Sequence, residues 1–272
     1  MKNVNHKVGF KIFRYDGIGQ PCWDTFEIPV SRGMTVLDGL IYIKENLDST
    51  LAWRSSCRMG VCGSCGMMIN SRLQLACQTQ IFELKAPVVV KPLPNFPIIR
   101  DLVPDLMSMI KKHREAKPWI IRQDLAELDH PTNEYLQSAQ EVEKYLQFSY
   151  CIKCGLCMAA CPTLATDERY LGPQPLGQAY RYMADSRDEG FAERVKSILS
   201  NAGPWRCHFA GECSQVCPKH VDPALAIQKM KREIFLRTLR LKKSKPGAPV
   251  APKITEAQPK PGIPKAPERT VK

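Results

Sequence analysis

Cysteine placement constrains this 272-residue chain more than any other feature. Its twelve cysteines stand at 22, then 57, 62, 65 and 77, then 151, 154, 157 and 161, then 207, 213 and 217, so one is isolated and eleven are clustered. The N-terminal stretch MKNVNHKVGFKIFRYDG has neither the apolar block of a secretion signal nor the Arg/Ser-rich look of a transit peptide. The expectation is a cytosolic, reducing location, where grouped cysteines are metal ligands rather than disulfides.

Cys57-x4-Cys62-x2-Cys65, with Cys77 later, has plant-type [2Fe–2S] spacing, although the fourth ligand comes sooner than in plant ferredoxins. A cluster with four thiolates is anionic, and Gly60, Gly63 and Gly66 free the backbone to turn N–H groups toward its sulfurs. Arg54 and Arg58 add positive charge nearby. The alternative is a structural zinc site, but zinc usually joins two separated Cys-x2-Cys pairs, and one Gly-rich loop matches that poorly.

Cys151-x2-Cys154-x2-Cys157-x3-Cys161-Pro162 is the bacterial ferredoxin run, in which the fourth cysteine serves the other cluster. The last run, Cys207, Ala210, Cys213, Cys217 and Pro218, is its reciprocal copy with only the second ligand missing. Cys151, Cys154, Cys157 and Cys217 then hold a [4Fe–4S] cluster. Cys161, Cys207 and Cys213 are left for a cluster with one ligand too few. That cluster is either [3Fe–4S] or a four-iron cluster with a solvent ligand. Cys22 is spare and reads as a small buried hydrophobe in a strand.

Around these runs the chain divides into an α+β first half and a helical second half. Residues 7–15 and 22–30 read as a hairpin, and 31–48 as a helix with Val36, Leu37, Leu40, Ile41 and Leu47 on its apolar face. Short strands are expected at Met67–Ile69 and Gln80–Leu84, and KPLPNFP ends the unit. Helical periodicity covers Asp101–His113, Asn133–Phe148, Leu176–Asp185, Phe191–Ser200 and Pro223–Leu241, the last with Asp222 at the N-cap and Pro223 at the first helical position. The expected domains are 1–97, 98–241, and a Pro/Lys-rich disordered tail at 242–272. The tail holds eight basic residues against Glu256 and Glu268, so it supplies +6 of the formal +12. No basic stripe interleaved with aromatics remains to suggest a nucleic-acid partner. No apolar run approaches the roughly 20 residues that cross a bilayer.

The strings SCRMGVCGSCGMMIN, LACQT, CIKCGLCMAACP, YRYMADSRDEG and CHFAGECSQVCPKHVDP together resemble the iron–sulfur subunit of succinate dehydrogenase and fumarate reductase, from about residue 7 to residue 241. CIKCGLC, DSRD and CPKHVDPA look closer to the fumarate reductases. The resemblance implies a β-grasp, plant-type ferredoxin-like domain followed by an α-helical, bacterial-ferredoxin-like one. It implies an oxidoreductase subunit without acid–base catalysts of its own. Electrons would pass from FAD in a separate flavoprotein subunit through [2Fe–2S], [4Fe–4S] and [3Fe–4S] centres to a quinone at one or more membrane anchor subunits, which can carry haem b. The subunit would sit peripherally on the cytoplasmic face of the membrane. The tryptophans that ubiquinone-using relatives carry after the residue matching Cys161 are absent from Pro162-Thr163-Leu164-Ala165-Thr166, so the expected quinone is menaquinone. His208, Gln228 and Lys231 match family positions near the quinone. Lys231 also reads as part of a solvated basic face with Lys229 and Arg232. Trp205 reads either as a neighbour of the three-iron cluster or as a core residue. The rival readings are a freestanding polyferredoxin and the iron–sulfur subunit of another quinone-linked oxidoreductase.

The missing ligand supplies a direct test. Ala210→Cys is expected to favour a four-iron cluster at the last site, and an unchanged three-iron EPR signal in that variant would refute the ligand map.

Overall fold

The computed structural model describes residues 6–199, 202–241 and 247–252. Its first half contains β1 (His6–Arg14), β2 (Cys22–Val30), α1 (Val36–Asn46), β3 (Gly66–Ile69), β4 (Arg72–Leu75) and β5 (Val88–Lys91). These strands make one sheet in the order β2-β1-β5-β3-β4, antiparallel except for the parallel pair β1–β5. Alternate residues Phe10, Ile12, Ile28, Val30, Val88 and Val90 point inward and are buried with Val36, Leu37, Leu40 and Ile43 of α1. Gly39 lets α1 lie close over β1, since a Cβ there would stand 2.6 Å from the Phe10 ring. Thr35 and Asp38 form a reciprocal capping box that starts α1. A helix held against a mixed sheet in this way is the expected β-grasp arrangement.

Leu47 follows the end of α1 and is 49% exposed, so it is not part of the apolar face. Gln80–Leu84 is not a strand: Ile81–Glu83 forms one 3-10 turn, whose Ile81 N–H bonds Met34 O at 3.1 Å next to the start of α1. Cys22 is exposed rather than buried. It shares the face of Ile28 and Val30, but it lies at the far end of the hairpin, opposite Arg14, beyond the edge of the core.

The second half contains β6 (Ile98–Arg100), β7 (Val103–Pro104), α2 (Met107–Glu115), α3 (Leu125–Asp129), α4 (Ala139–Glu143), α5 (Leu146–Ser149), α6 (Leu156–Ala159), α7 (Pro162–Thr166), α8 (Pro173–Met183), α9 (Phe191–Ile198), α10 (Glu212–Gln215) and α11 (Pro223–Thr238). The long helices α8 and α11 pack together, with Leu176, Ala179, Ile227 and Met230 buried. Asp222 caps α11, its Oδ1 accepting the Leu225 N–H at 2.9 Å, and Pro223 opens the helix.

Residues 98–104 were expected to open the helical domain, yet they fold as the β6–β7 hairpin and are tied to the first half. The Asp101 N–H bonds Tyr15 O, and its carboxylate accepts from Arg14 Nε, Tyr15 N and Ala52 N. The expected helix Asn133–Phe148 starts only at Ala139, because residues 134–136 are extended and pair with the chain beyond α11, and it is interrupted again at residues 144–145 between α4 and α5. Leu136 N donates to Pro249 O at 2.8 Å, Ala251 N donates to Glu134 O at 2.7 Å, and Tyr135 bridges Val250. Residues 247–252 are therefore a docked strap rather than disordered tail. The remaining tail, 242–246 and 253–272, lies outside the described residues.

The DSRD string is the knot of this half. Arg194 and Asp188 are fully buried and paired at 2.8 Å, and Arg194 also donates to Lys117 O and Trp119 O. Asp188 accepts in addition from Ile121 N and Gly190 N. Removing one partner of such a pair leaves an uncompensated buried charge. Arg194→Leu is expected to cost about 3–5 kcal/mol, seen as a lower thermal midpoint and early protease cleavage between residues 117 and 136.

Candidate metal centres

The first thiol loop turns its backbone toward sulfur. Met59 N, Val61 N and Cys62 N lie 3.4, 3.3 and 3.3 Å from Cys57 Sγ, and Cys57 N lies 3.5 Å from Cys62 Sγ. That curl requires left-handed backbone at Arg58 (φ 59°), Gly60 (φ 69°) and Gly63 (φ 73°). The Cys57 N–H, helped by Ser64, draws the Cys62 thiol down to about 6. Burial pushes Cys65 up to about 12. Cys65 and Cys77 are fixed by the β3–β4 hairpin, which they flank, and the Ala76 N–H bonds Cys65 O at 3.0 Å. Arg54 is half-buried beside the loop, and Arg58 is exposed on it.

The two later runs have the same backbone. Lys153 (φ 54°) and Gly155 (φ 85°) lead into α6, and Phe209 (φ 59°) and Gly211 (φ 82°) lead into α10. Cys154 and Ala210 occupy the same place in the two copies. Cys151, Cys154, Cys157 and Cys217 line the hollow of the second site. Cys161, Cys207, Cys213 and Ala210, with His208, line the hollow of the third. Burial pushes the thiols up: Cys154 to about 12, Cys213 to about 11, and Cys157 well above its ordinary value.

These donor sets fit iron–sulfur clusters. Cationic iron keeps a buried thiol deprotonated, which desolvation alone opposes here.

The three sites lie in contact. A Cβ on Gly63 would stand 2.7 Å from Cys154 Cβ and 2.8 Å from its Cα, so the first loop rests directly on the second site. Asn95, from the proline-rich stretch after β5, donates its side-chain N–H groups to the carbonyls of Met158, Ala159 and Cys161. The third site follows directly, since α10, which carries Cys213, packs on α6, which carries Cys157, and the Cys213 charge adds to the upward push on the Cys157 thiol.

Beyond the third hollow, Lys231 Nζ donates to Cys207 O at 3.0 Å and stands 5.8 Å from the Trp205 ring centre. Lys231 is thus half-buried against the third run and not on an open basic face. Trp205 is 54% exposed, which removes the core reading. His208 is exposed at the hollow's rim, and the buried Gln228 Nε2 has no hydrogen-bond partner among the described residues. Gln174, which lines the hollow of Cys151, Cys154, Cys157 and Cys217, is not legible as a site residue from the sequence, because a lone glutamine between prolines carries no ligand-spacing signal.

Comparison with known proteins agrees with this geometry. Residues 9–111 match the family model for a 2Fe-2S iron-sulfur cluster binding domain, and residues 147–221 match a 4Fe-4S dicluster domain. The chain is 47% identical over 212 residues to the fumarate reductase iron–sulfur subunit of Mycobacterium tuberculosis, covering 78% of this chain and 85% of that one. It is 45% identical to the Haemophilus influenzae fumarate reductase iron–sulfur subunit, with 79% and 87% covered. With the succinate dehydrogenase iron–sulfur subunit of Paracoccus denitrificans it shares 40% identity, with 82% and 86% covered. A chain in the structure of the Mycobacterium smegmatis Sdh1 complex in the apo form superposes with a TM-score of 0.74 at 26% identity, covering 87% of this chain and 98% of that one.

The contact at Gly63 can be tested. Gly63→Ala combines an unfavourable φ with overlap onto Cys154. It is expected to lower thermal stability and to alter the EPR line shapes of the first two centres together. A change confined to one of them would refute the contact.

Proposed function

On the premise that the chain belongs to the family of iron–sulfur subunits of fumarate reductase and succinate dehydrogenase, we propose that it relays single electrons between an FAD flavoprotein and a membrane quinone. The observation that carries this reading is the contiguity of the three thiol sites, from the first loop through Gly63 and Cys154 to Cys157 and Cys213. Cys57, Cys62, Cys65 and Cys77 would hold [2Fe–2S], and Cys151, Cys154, Cys157 and Cys217 would hold [4Fe–4S]. Cys161, Cys207 and Cys213 would hold [3Fe–4S], with Ala210 where a fourth thiolate would stand. When bound, the clusters supply one-electron chemistry. The chain's own residues fix the spacing, exclude water from the buried sulfurs and aim N–H groups at the outer ones.

The two ends of the row suit different partners. Met59 and Val61 expose apolar side chains on the outer face of the first loop, a surface that a flavoprotein would cover. At the other end Trp205 and Phe209 are exposed beside the third site, and Phe235 and Leu239 are exposed further along α11, a surface where a membrane anchor would dock. None of the described helices is long and apolar enough to cross a membrane. Peripheral attachment on the cytoplasmic face, through an anchor able to carry haem b, is the corresponding location. His208, Gln228, Lys231 and Trp205 would border the quinone. Menaquinone is favoured by the lack of tryptophan in 162–166.

Membranes containing the assembled complex should couple succinate or fumarate turnover to quinone, and anaerobically prepared protein should give EPR signals of three distinct centres. Zinc in place of iron and acid-labile sulfide would overturn the reading. Lys231→Ala should slow quinone turnover at least tenfold while all cluster signals persist. Unaltered quinone turnover in that variant would remove Lys231 from the site.

A further inference from the structure

Gln174 is a buried polar side chain that no ligand assignment uses. It stands in the first turn of α8, 2% exposed, and lines the hollow formed by Cys151, Cys154, Cys157 and Cys217. Its Nε2 lies 3.1 Å from His113 Nδ1 on α2. Its Oε1 is buried and has no hydrogen-bond partner among the described residues. An unpaired buried polar atom is destabilising, and Pro173, Pro175 and Leu176 around it are buried without needing an amide.

We propose that Gln174 is a positioning residue for electron transfer: held by His113, it donates an amide N–H toward the Cys151 sulfur and so raises the reduction potential of the four-iron centre. This rests on the assignment of Cys151, Cys154, Cys157 and Cys217 to that centre. A primary amide nitrogen carries two donors. One is directed to the His113 ring nitrogen, and the other is free for sulfur. Burial, with Lys153 nearby, lowers His113 to about 4, so its ring is neutral and can offer a nitrogen acceptor. Gln174 and Cys151 line the same hollow, so that sulfur is the acceptor open to the second donor. Adding one electron makes the cluster and its thiolates more negative. A fixed N–H donor therefore stabilises the reduced form more than the oxidised one.

The test uses anaerobically isolated, cluster-loaded protein in its own membranes, titrated potentiometrically with EPR detection. Gln174→Leu keeps the side-chain bulk and removes the donors, and Gln174→Ala removes both. In each, the four-iron midpoint should fall by ~59 mV, a tenfold change in the reduced-to-oxidised ratio for one electron, while the other two midpoints stay in place. His113→Phe should shift it in the same direction by less, since the amide loses only its anchor. An unmoved four-iron midpoint in Gln174→Leu overturns the proposal. Absence of a four-iron signal from the unsubstituted protein overturns the ligand assignment beneath it instead. Should neither Gln174 variant load its clusters, pulsed EPR of the unsubstituted protein with 15N in its glutamine side chains decides. Coupling of an amide nitrogen to the reduced four-iron centre supports the proposal, and no coupling overturns it.

Discussion

Sulfur removed from water is the condition on which the rest of this fold depends. Cys65, Cys154, Cys157 and Cys213 are all driven toward the protonated form by burial. A thiolate survives in such places only where cationic iron or converging N–H groups offset the lost hydration. Metal loading and folding are therefore linked. The helices that carry the later ligands are only four residues long in α6 and α10 and five in α7. Isolated helices below roughly 12–15 residues are marginal in water. These three owe their persistence to the thiol sites they carry and to α8 and α11 packed against them.

The tandem runs keep one backbone although the second has Ala210 where the first has Cys154. Left-handed Lys153 and Gly155 match left-handed Phe209 and Gly211 in front of equivalent helices. The backbone at Ala210 is already shaped to present a thiolate. What differs is the side chain, and with it the charge the site can hold.

The grouping of the cysteines and the strand and helix positions nearest them were legible because spacing and alternation are local signals. The hairpin, α1 and the cap of α11 follow from residues within a few positions of each other. Features set by distant partners were not legible. Residues 134–136 have helical periodicity, but Pro249 and Ala251 recruit them into extended pairing, a contact across more than a hundred residues. Gln80–Leu84 has the apolar content of a strand, yet its backbone is used up against the start of α1. Cys22 has the right parity to be buried, and only the extent of the core leaves it in solvent. Gln174 shows its role only when α8 and α2 are placed beside the cysteines. DSRD was recognisable as a motif, but its part as the partner of Arg194 required the segment from Lys117 to Ile121 to be in place.

A ferredoxin-like unit followed by a helical unit suggests two bodies on a linker, but the contacts argue for one. KPLPNFP buries Leu93 and Phe96, and Asn95 caps the carbonyls at the end of α6. Residues 98–104 return to the first half through Asp101, and the buried apolar side chains of both halves form a single continuous core. A hinge at this joint would let the Gly63–Cys154 approach vary. Glycine at 63 allows the two loops to touch, and the proline-rich joint holds them in place. Rigidity between the halves is therefore set by the joint as much as by the two cores it connects.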